Sequence, residues 1–234
     1  MRKLLAFEAL FCKNPAMRRF LYILPLMLLT NMSRAAVVPA PPALCETAIN
    51  TAEFAGRLPP RLLHAIALVE SGRLHEAART VRPWPWTINA EGAGAFFATK
   101  NDAIAAVKAL QARGVRSIDV GCLQVNLMFH PNAFASLDEA FDPRANALYA
   151  ARFLNQLHAP GDTWMRAIAA YHSDTPALGE PYRALVMLRW QNPTLAPAQI
   201  VQVAYRAFTP PQQVYNAFAP LSLVYGSAPN PARP

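Results

Sequence analysis

The sequence predicts a mainly α-helical (α+β) domain with one small β-hairpin. Most segments between residues 44 and 190 place apolar residues three and four positions apart, which is typical of amphipathic helices. Residues that favour helix starts and helix ends separate these segments. One segment differs, because aromatic and apolar residues flank a glycine-containing turn at residues 89–94, a pattern that indicates a hairpin.

The first two predicted helices precede the hairpin. One starts at Leu44, and its expected apolar face consists of Cys45, Ala48, Ile49, Ala52 and Phe54. The other follows Pro59-Pro60, since proline is tolerated at a helix start, and it ends at Ser71-Gly72. Its apolar residues at helical spacing are Leu62, Leu63, Ile66 and Val69.

The hairpin, expected within residues 82–97, is followed by further helices. Thr99 with Asp102 resembles a capping box and opens a helix that runs to Gly114. Asp142-Pro143 forms an N-cap and first-turn pair for the next helix. The other predicted helices are the one capped by Gly161-Asp162-Thr163, residues 181–190 and residues 197–208.

Residues 1–35 are predicted to be a signal peptide that exports the chain to the periplasm. The apolar run of residues 20–29 follows Arg18-Arg19 and is short for a bilayer span, and a small-x-small pattern ends at Ala35. Met17 offers an alternative start with a shorter leading segment. The alternative interpretation is a membrane anchor that stays uncleaved.

The remaining chain divides into three parts by composition. Residues 36–43 form a proline-rich spacer, for which we expect extended backbone. Residues 44–190 carry the helical patterns and form the predicted domain. Residues 191–234 are a Pro/Ala-rich extension that is expected to be partly mobile, and its prolines could dock a partner in an envelope assembly.

Composition narrows the classes of function. The chain has 234 residues, 53% of them hydrophobic, which is enough for a sizeable core. Of the formal net charge of +8, residues 1–35 hold six basic residues against one acidic residue, so about +3 remains for the rest. A weak positive charge without basic-aromatic runs does not indicate nucleic-acid binding. The five histidines show no metal-ligand spacing, so neither a metal nor a cofactor is expected.

Two of the three cysteines, Cys45 and Cys122, lie outside the predicted signal. An even pair in an exported chain favours one disulfide. Whether the two lie close enough in space is not decided by the sequence.

Glu70 is the main candidate for a catalytic group. It stands at the end of an otherwise apolar helix, where the helix dipole and the apolar surroundings both disfavour the charged carboxylate. A carboxyl that stays protonated near neutral pH can act as a general acid in glycosidic cleavage. The alternative is an ordinary solvated surface glutamate.

A second polar group lies in D-V-G-C-L-Q-V-N, from Asp119 to Asn126. Gly121 suggests close approach of the backbone to a ligand, and the amides of Gln124 and Asn126 suit sugar hydroxyl and N-acetyl groups. These amides could instead cap a turn. Tyr171 ends a helical stripe in A-I-A-A-Y-H-S, where an aromatic side chain is more often part of a core.

Four segments together resemble the catalytic domain of the soluble lytic transglycosylases. They are E-S-G-R at Glu70, G-C-L-Q-V-N at Gly121, N-x-x-Y-A-A-x-F-L at Asn146 and A-I-A-A-Y-H-S from Ala167 to Ser173, over roughly residues 43–190. The resemblance implies a lysozyme-like fold similar to goose-type lysozyme. It also implies peptidoglycan glycan strands as substrate, and we expect a monomer.

The resemblance also implies roles for single residues. Glu70 matches the catalytic glutamate, and Ser71 matches the serine held near the substrate. Gln124 and Asn126 match polar positions that line the glycan cleft, and Tyr171 matches a tyrosine whose hydroxyl reaches toward the catalytic carboxyl. Cys122 departs from the family's Leu or Met, which fits a disulfide to Cys45. His172-Ser173 departs from the family's Asn-Ala and leaves the contacts of that loop open.

The motifs contain a single matched carboxylate, Glu70. Asp119 is the nearest second candidate and is interpreted as a turn residue or hairpin support. Trp84 and Trp86 could stack on sugars or pack in the hairpin. The resemblance implies cleavage of the bond from N-acetylmuramic acid to N-acetylglucosamine with 1,6-anhydro ends. The alternatives are a goose-type lysozyme hydrolase and a non-catalytic peptidoglycan-binding module.

Overall fold

Helices and short antiparallel strands alternate along the chain in the computed structural model, which describes residues 39–75 and 79–195. The mainly helical fold with a small hairpin is confirmed. The predicted signal at residues 1–35, residues 36–38 of the spacer and most of the C-terminal extension, with its predicted helix at residues 197–208, lie outside the described residues. Among the described residues, no helix combines the length and the apolar character needed to cross a membrane.

The described elements occur in the following order. The helices are α1 (Pro41–Gly56), α2 (Leu62–Glu70), α3 (Lys100–Ala112), α4 (Leu137–Ala140), α5 (Pro143–Leu157), α6 (Trp164–His172) and α7 (Pro176–Gln191). The strands are β1 (Gly72–His75), β2 (Thr80–Pro83), β3 (Thr87–Ala90), β4 (Ala93–Phe96), β5 (Ile118–Val120) and β6 (Val125–Asn126).

Several local signals act as the sequence predicts. The Thr99 hydroxyl accepts a hydrogen bond from the Asp102 N–H at the start of α3, and the Asp142 carboxylate accepts one from the Ala145 N–H at the start of α5. In the hairpin, β3 pairs with β4 from Thr87↔Phe96 to Ala90↔Ala93. Both residues of its turn have positive φ, as the type I′ geometry of a two-residue hairpin loop requires.

Two expectations for the first helix were wrong. Helix α1 begins at Pro41, so residues 41–43 are helical rather than part of an extended spacer, because proline fits the first turn of a helix. Phe54 is 88% exposed instead of joining the apolar face. It lies two positions after Ala52, about 200° around the helix, whereas residues spaced by three and four share one face.

The strands form two sheets. Strands β1 and β2 pair as a two-stranded ribbon, and the other four form an antiparallel sheet in the order β4-β3-β5-β6. In the larger sheet, Asn89 on β3 pairs with Asp119 on β5, and Asp119 pairs with Asn126 on β6. The strand pairing therefore places Asn89 in one row with Asp119 and Asn126, two polar residues noted in the sequence.

Two apolar clusters support the site. The helical core is formed mainly by α1, α2, α5, α6 and α7, with Leu62, Leu63 and Ile66 of α2 fully buried. The sheet core packs β3 and β5 against α3 and α4. Its fully buried residues include Val107, Ile118 and Val120. Glu70 lies at the end of α2, which contributes to the helical core. The row of Asn89, Asp119 and Asn126 belongs to the four-stranded sheet, which contributes to the sheet core.

Candidate active site

Helix α2 is held at both ends, which fixes the position of Glu70. At its start, the Glu53 carboxylate accepts hydrogen bonds from the N–H groups of Arg61 (3.1 Å) and His64 (3.0 Å). A carboxylate there satisfies backbone donors that the helix leaves free. The sequence signal had been Pro59-Pro60 alone, so Glu53 was missed. Its position within α1 gave no local indication that it caps the following helix.

The Glu70 carboxyl is the last side chain of α2 and receives one short hydrogen bond. The hydroxyl of Tyr182, on α7, donates to its Oε1 at 2.6 Å. Burial raises the pKa of Glu70 to about 8, the Tyr182 hydrogen bond opposes that rise, and the nearby Asp119 charge adds to it. The residue as a whole is half-buried, while its carboxyl is the part that burial keeps uncharged. Glu70 is therefore protonated at neutral pH.

Ser71 lies directly behind the candidate acid and has no exposed surface. Its hydroxyl donates to the Cys122 carbonyl oxygen at 2.6 Å. The resemblance implies a serine held near the substrate, which stays a prediction; the Ser71 hydroxyl itself is occupied by a protein carbonyl. The hydrogen bond ties the end of α2 to the segment that carries Gln124.

That segment, residues 121–126, is anchored by a buried asparagine. Asn146 of α5 accepts a hydrogen bond from the Leu123 N–H at 2.9 Å and donates to the Val120 and Ala140 carbonyl oxygens at 3.0 and 3.1 Å. Gly121 has φ +82°, and a Cβ added there would lie 2.5 Å from Asn146 Nδ2. The Gly and the Asn of two separate motifs thus meet in one contact.

A disulfide anchors the same segment from another side. Cys45 of α1 and Cys122 are bonded, with their Cα atoms 5.8 Å apart. Both residues are almost fully buried in the helical core. Sequence left the pairing open because it did not place α1 beside the segment.

Gln124 retains one free acceptor. Its Nε2 donates to the carbonyl oxygens of Thr87 (3.1 Å) and Gly121 (2.9 Å), which fixes the amide against strand β3. Its Oε1 is buried and has no hydrogen-bond partner among the described residues. Such an oxygen can accept a hydrogen bond from a ligand. Sugar binding by Gln124 therefore stays a prediction, and Oε1 is the atom that could make the contact.

Asn126 has no comparable free atom. Its Nδ2 donates to Ser117 Oγ (3.0 Å) and Asp119 Oδ1 (2.8 Å), and its Oδ1 accepts from the N–H groups of Met128 (2.9 Å) and Phe129 (3.1 Å). The turn-capping interpretation describes these contacts. Direct sugar binding by Asn126 stays a prediction. In the structure its amide orients Asp119 and the following turn.

The tyrosine that contacts Glu70 is not the one that was expected. The Tyr171 hydroxyl donates to the Leu123 carbonyl oxygen at 2.9 Å, whereas the hydrogen bond to Glu70 comes from Tyr182. Tyr182 is 2% exposed, and His172 stacks on its ring at 4.7 Å between centroids. Sequence reasoning missed Tyr182 because a tyrosine inside a helical pattern ordinarily indicates a core position.

Asp119 is the second carboxyl of the site. It lies on the central strand β5 rather than in a turn, so the turn interpretation was wrong, while its pairing with Asn89 does support the hairpin. Burial raises the pKa of Asp119 to about 6, and the hydrogen bond from Asn126 opposes the rise. Its charge is close enough to raise the pKa values of Glu70 and Tyr171.

The two tryptophans pack within the protein. Trp84 Nε1 donates to the Phe97 carbonyl oxygen at 2.7 Å, and the Arg73 guanidinium lies 4.4 Å from the Trp84 ring centroid. Trp84 and Trp86 meet edge to face with centroids 6.0 Å apart. Hairpin packing is thus observed, and the Arg73 guanidinium occupies one face of the Trp84 ring.

Comparison with known proteins gives one match. The family model described as the Transglycosylase SLT domain matches residues 47–181, which is more than half of the chain. The match includes Glu70, Gln124 and Tyr171 and ends one residue before Tyr182. No curated protein and no solved structure matches the chain. Within the described residues, no cluster of three or more His, Cys, Asp or Glu side chains could hold a metal ion.

Proposed function

Because the chain belongs to the transglycosylase SLT domain family, we propose that it is a lytic transglycosylase with Glu70 as its single acid and base. SLT domains act on peptidoglycan, so the site of action is outside the cytoplasm. The proposed bond is the β-1,4 link from N-acetylmuramic acid to N-acetylglucosamine. The observation that supports the proposal most is the Glu70 carboxyl at the end of α2, which accepts a hydrogen bond from the Tyr182 hydroxyl and whose pKa burial raises to about 8.

The first step is proton transfer from Glu70 to the oxygen that leaves the muramoyl C1. A protonated carboxyl is needed, and a pKa of about 8 keeps Glu70 in that form at neutral pH. Tyr182 donates to Oε1, so Oε2 is available to carry the proton. As the carboxylate forms, this charge-assisted hydrogen bond strengthens and stabilises the product of the transfer.

The second step closes a ring without water. The 2-acetamido oxygen of the muramoyl sugar stabilises the positive charge at C1, as in substrate-assisted glycosidases. The ionised Glu70 then takes the proton of the C6 hydroxyl, O6 bonds to C1, and a 1,6-anhydro ring results. Glu70 ends protonated again. The products together have the composition of the substrate, and no second carboxylate is required.

A goose-type lysozyme hydrolase is the second candidate, and Asp119 is the observation that favours it. Its carboxyl lies within electrostatic reach of Glu70 and has a pKa of about 6. A carboxylate of that kind could support an attacking water, as glycosidases with two carboxylates do. Its Oδ1 is engaged with Asn126, which favours a fixed electrostatic role over a mobile base.

The mass of the cleavage products tests the proposal. Purified protein is incubated with peptidoglycan sacculi, and released muropeptides are analysed by mass spectrometry. We expect anhydro ends, which are one water lighter than hydrolysed ends. Hydrolysed ends alone would establish the hydrolase. Absence of both, with a known transglycosylase active on the same sacculi, would contradict the proposed function.

We further propose that the chain works in the periplasm as a monomer, exported by residues 1–35, and that residues 191–234 contact an envelope partner. The predicted signal and the proline content of the extension support these proposals. A fusion of residues 1–35 to a periplasm-dependent reporter tests export. A pull-down with and without residues 191–234 tests the partner, and light scattering tests the oligomeric state.

A further inference from the structure

A row of side chains crosses the four-stranded sheet at one level. The register pairs Gly94 of β4 with Asn89 of β3, Asn89 with Asp119 of β5, and Asp119 with Asn126 of β6. Directly paired residues in antiparallel strands project to the same face. The four positions Gly94, Asn89, Asp119 and Asn126 therefore form one continuous row, which we call the polar row.

The polar row lies on the face opposite the sheet core. Its chain neighbours Ile88, Ala90, Ile118 and Val120 are all buried in that core. Since successive side chains of a strand point to opposite faces, Asn89 and Asp119 point away from it. The Gln124 amide reaches strand β3 at Thr87, two residues before Asn89. Ser71, the residue after Glu70, donates to Cys122 in the same segment as Gln124, so this segment links the sheet to the end of α2.

Asn89 has an acceptor that the protein does not use. Its Oδ1 is buried, and no described residue donates a hydrogen bond to it. Leaving a buried acceptor unpaired costs stability, so such a group requires an explanation. The neighbour on one side is Gly94, which has no side chain to cover the amide. Gln124 Oε1 is a second buried acceptor without a described partner in this region.

A neutral donor suits these oxygens better than a cation. The polar row contains one carboxylate, Asp119, and its Oδ1 is already hydrogen-bonded to Asn126. Divalent cations of the oxygen-ligating kind are usually held through carboxylates with several ligands. Sugar hydroxyl and acetamido N–H groups instead match two uncharged amide oxygens.

We propose that Asn89 is a specificity-determining residue, whose Oδ1 accepts a hydrogen bond from a hydroxyl or acetamido N–H of the glycan strand. This inference rests on the proposed function, since it takes peptidoglycan as the ligand. The strand would cross the polar row beside Glu70, with Gln124 Oε1 as a second acceptor. The unpaired acceptor of the free protein would thus gain its partner on binding.

The experiment measures binding and turnover separately. Asn89→Val removes the amide and keeps a residue suited to a strand, and Asn89→Ala is the second variant. In the Glu70→Gln background, co-sedimentation with intact sacculi should show affinity weaker by about three- to tenfold for either variant. With Glu70 present, KM should rise by a similar factor while kcat stays within about twofold.

Stability separates binding from a structural role. Because Oδ1 is unpaired in the free protein, Asn89→Val should leave the midpoint of thermal unfolding unchanged or raise it. Asn101→Ala is the matched control, since Asn101 is exposed at the start of α3, and it should change neither affinity nor stability. Unchanged affinity in both Asn89 variants, or an equal loss in Asn101→Ala, would overturn the inference.

Two arms identify the donor and isolate the inference from the proposed function. Oligomers of N-acetylglucosamine and of glucose are used as competitors of sacculus binding. An effect of Asn89→Val confined to the acetylated oligomer assigns the acetamido N–H, and an effect on both assigns a hydroxyl. If the wild type releases no cleavage product, the proposed function fails, while the co-sedimentation with Glu70→Gln still decides the role of Asn89.

Discussion

The two sides of the site differ in how completely their polar groups are paired. On the helical side, the Glu70 carboxyl, the Ser71 hydroxyl and the Asn146 amide all have protein partners. On the sheet side, Asn89 Oδ1 and Gln124 Oε1 are buried without partners among the described residues. The hydrogen-bonded groups hold the Glu70 carboxyl in one position. The two unpaired amide oxygens are able to accept hydrogen bonds from a ligand. On the proposed function, the helices would hold the acid and the sheet would recognise the glycan.

The segment of residues 121–126 joins the two sides. Cys122 connects it to α1 through the disulfide and to Ser71 through a hydrogen bond. Asn146 holds its backbone, and Gln124 contacts β3. A change within this segment should therefore affect catalysis and binding together, while a change on either side should affect one of them.

Glu70→Gln tests the helical side and should have the largest effect. Loss of the general acid should lower the rate of product release by about two to four orders of magnitude or more. Binding to sacculi should persist, because the sheet side is untouched. Rates are measured from anhydromuropeptide release and binding from co-sedimentation. Substantial residual turnover would remove Glu70 from its role.

The same variant should be more stable than the wild type near neutral pH. The folded-state pKa of about 8 lies above the ordinary value of 4.5, so the unfolded chain releases its proton first as pH rises. The folded protein therefore loses stability across that window, and glutamine removes the loss. The gain should grow from nearly zero below pH 4.5 to about 2 kcal/mol above pH 8, so it is already present in part at neutral pH. Thermal unfolding at several pH values measures the difference.

Gly121→Ala tests the connecting segment and should reduce stability by about 2–4 kcal/mol. The cost has two parts, a positive φ of 82° and a Cβ placed 2.5 Å from Asn146 Nδ2. Gly114→Ala is the control, because its φ is 88° and nothing lies within 4 Å of the added Cβ. It should cost only about 1 kcal/mol. Equal losses in denaturant unfolding would show that the Asn146 contact contributes nothing.

Tyr182→Phe and Tyr171→Phe compare two tyrosines of the helical side. Tyr182→Phe removes the hydrogen bond to Glu70 and should lower kcat by about tenfold. Because that bond lowers the pKa of Glu70, its loss should move the basic limb of the pH–rate profile to higher pH. Tyr171→Phe removes the bond to Leu123 and should change kcat less, with a stability loss of about 1 kcal/mol. The reverse order would restore the role first expected of Tyr171.

Asp119→Asn changes a residue of the sheet side that influences Glu70 on the helical side. Among these variants it should have the smallest effect on rate. The Asp119 charge raises the pKa of Glu70, so its removal should move the basic limb of the pH–rate profile to lower pH. We expect kcat near neutral pH to fall by less than about threefold if one carboxyl suffices. A loss comparable with that of Glu70→Gln would instead support a hydrolase with two carboxylates.

Much of the fold was predictable because its signals are local. The capping contacts of Thr99 and Asp142 and the turn after Ala90 each depend on residues within a few positions. The exposed Phe54 shows the limit of such signals, since an apolar residue near a helical pattern need not share its face. The early start of α1 at Pro41 shows another, because a proline-rich stretch suits both a spacer and a first helical turn.

The sequence predicted the main candidate acid, Glu70, but it predicted the contacts of the other site residues less well. Asn126 was expected to face a ligand, but its amide is occupied by four protein groups. Ser71 is fully buried beside Glu70, and its expected place near the substrate stays a prediction. Asn89 was noted only as the start of a turn. Residue type and spacing indicate that a polar side chain is present, whereas its free atoms depend on neighbours from other strands.

By itself the sequence determined the helical pattern, the hairpin and the placement of Glu70 at the end of an apolar helix, since periodicity and capping act within one element. Only the tertiary structure decided that Tyr182, 112 residues away in sequence, donates to Glu70 in place of Tyr171. It also decided that Asn89 and Gln124 keep unpaired oxygens. The physical reason is that a hydrogen-bond partner is chosen by the packing of distant segments, and no local pattern encodes that choice.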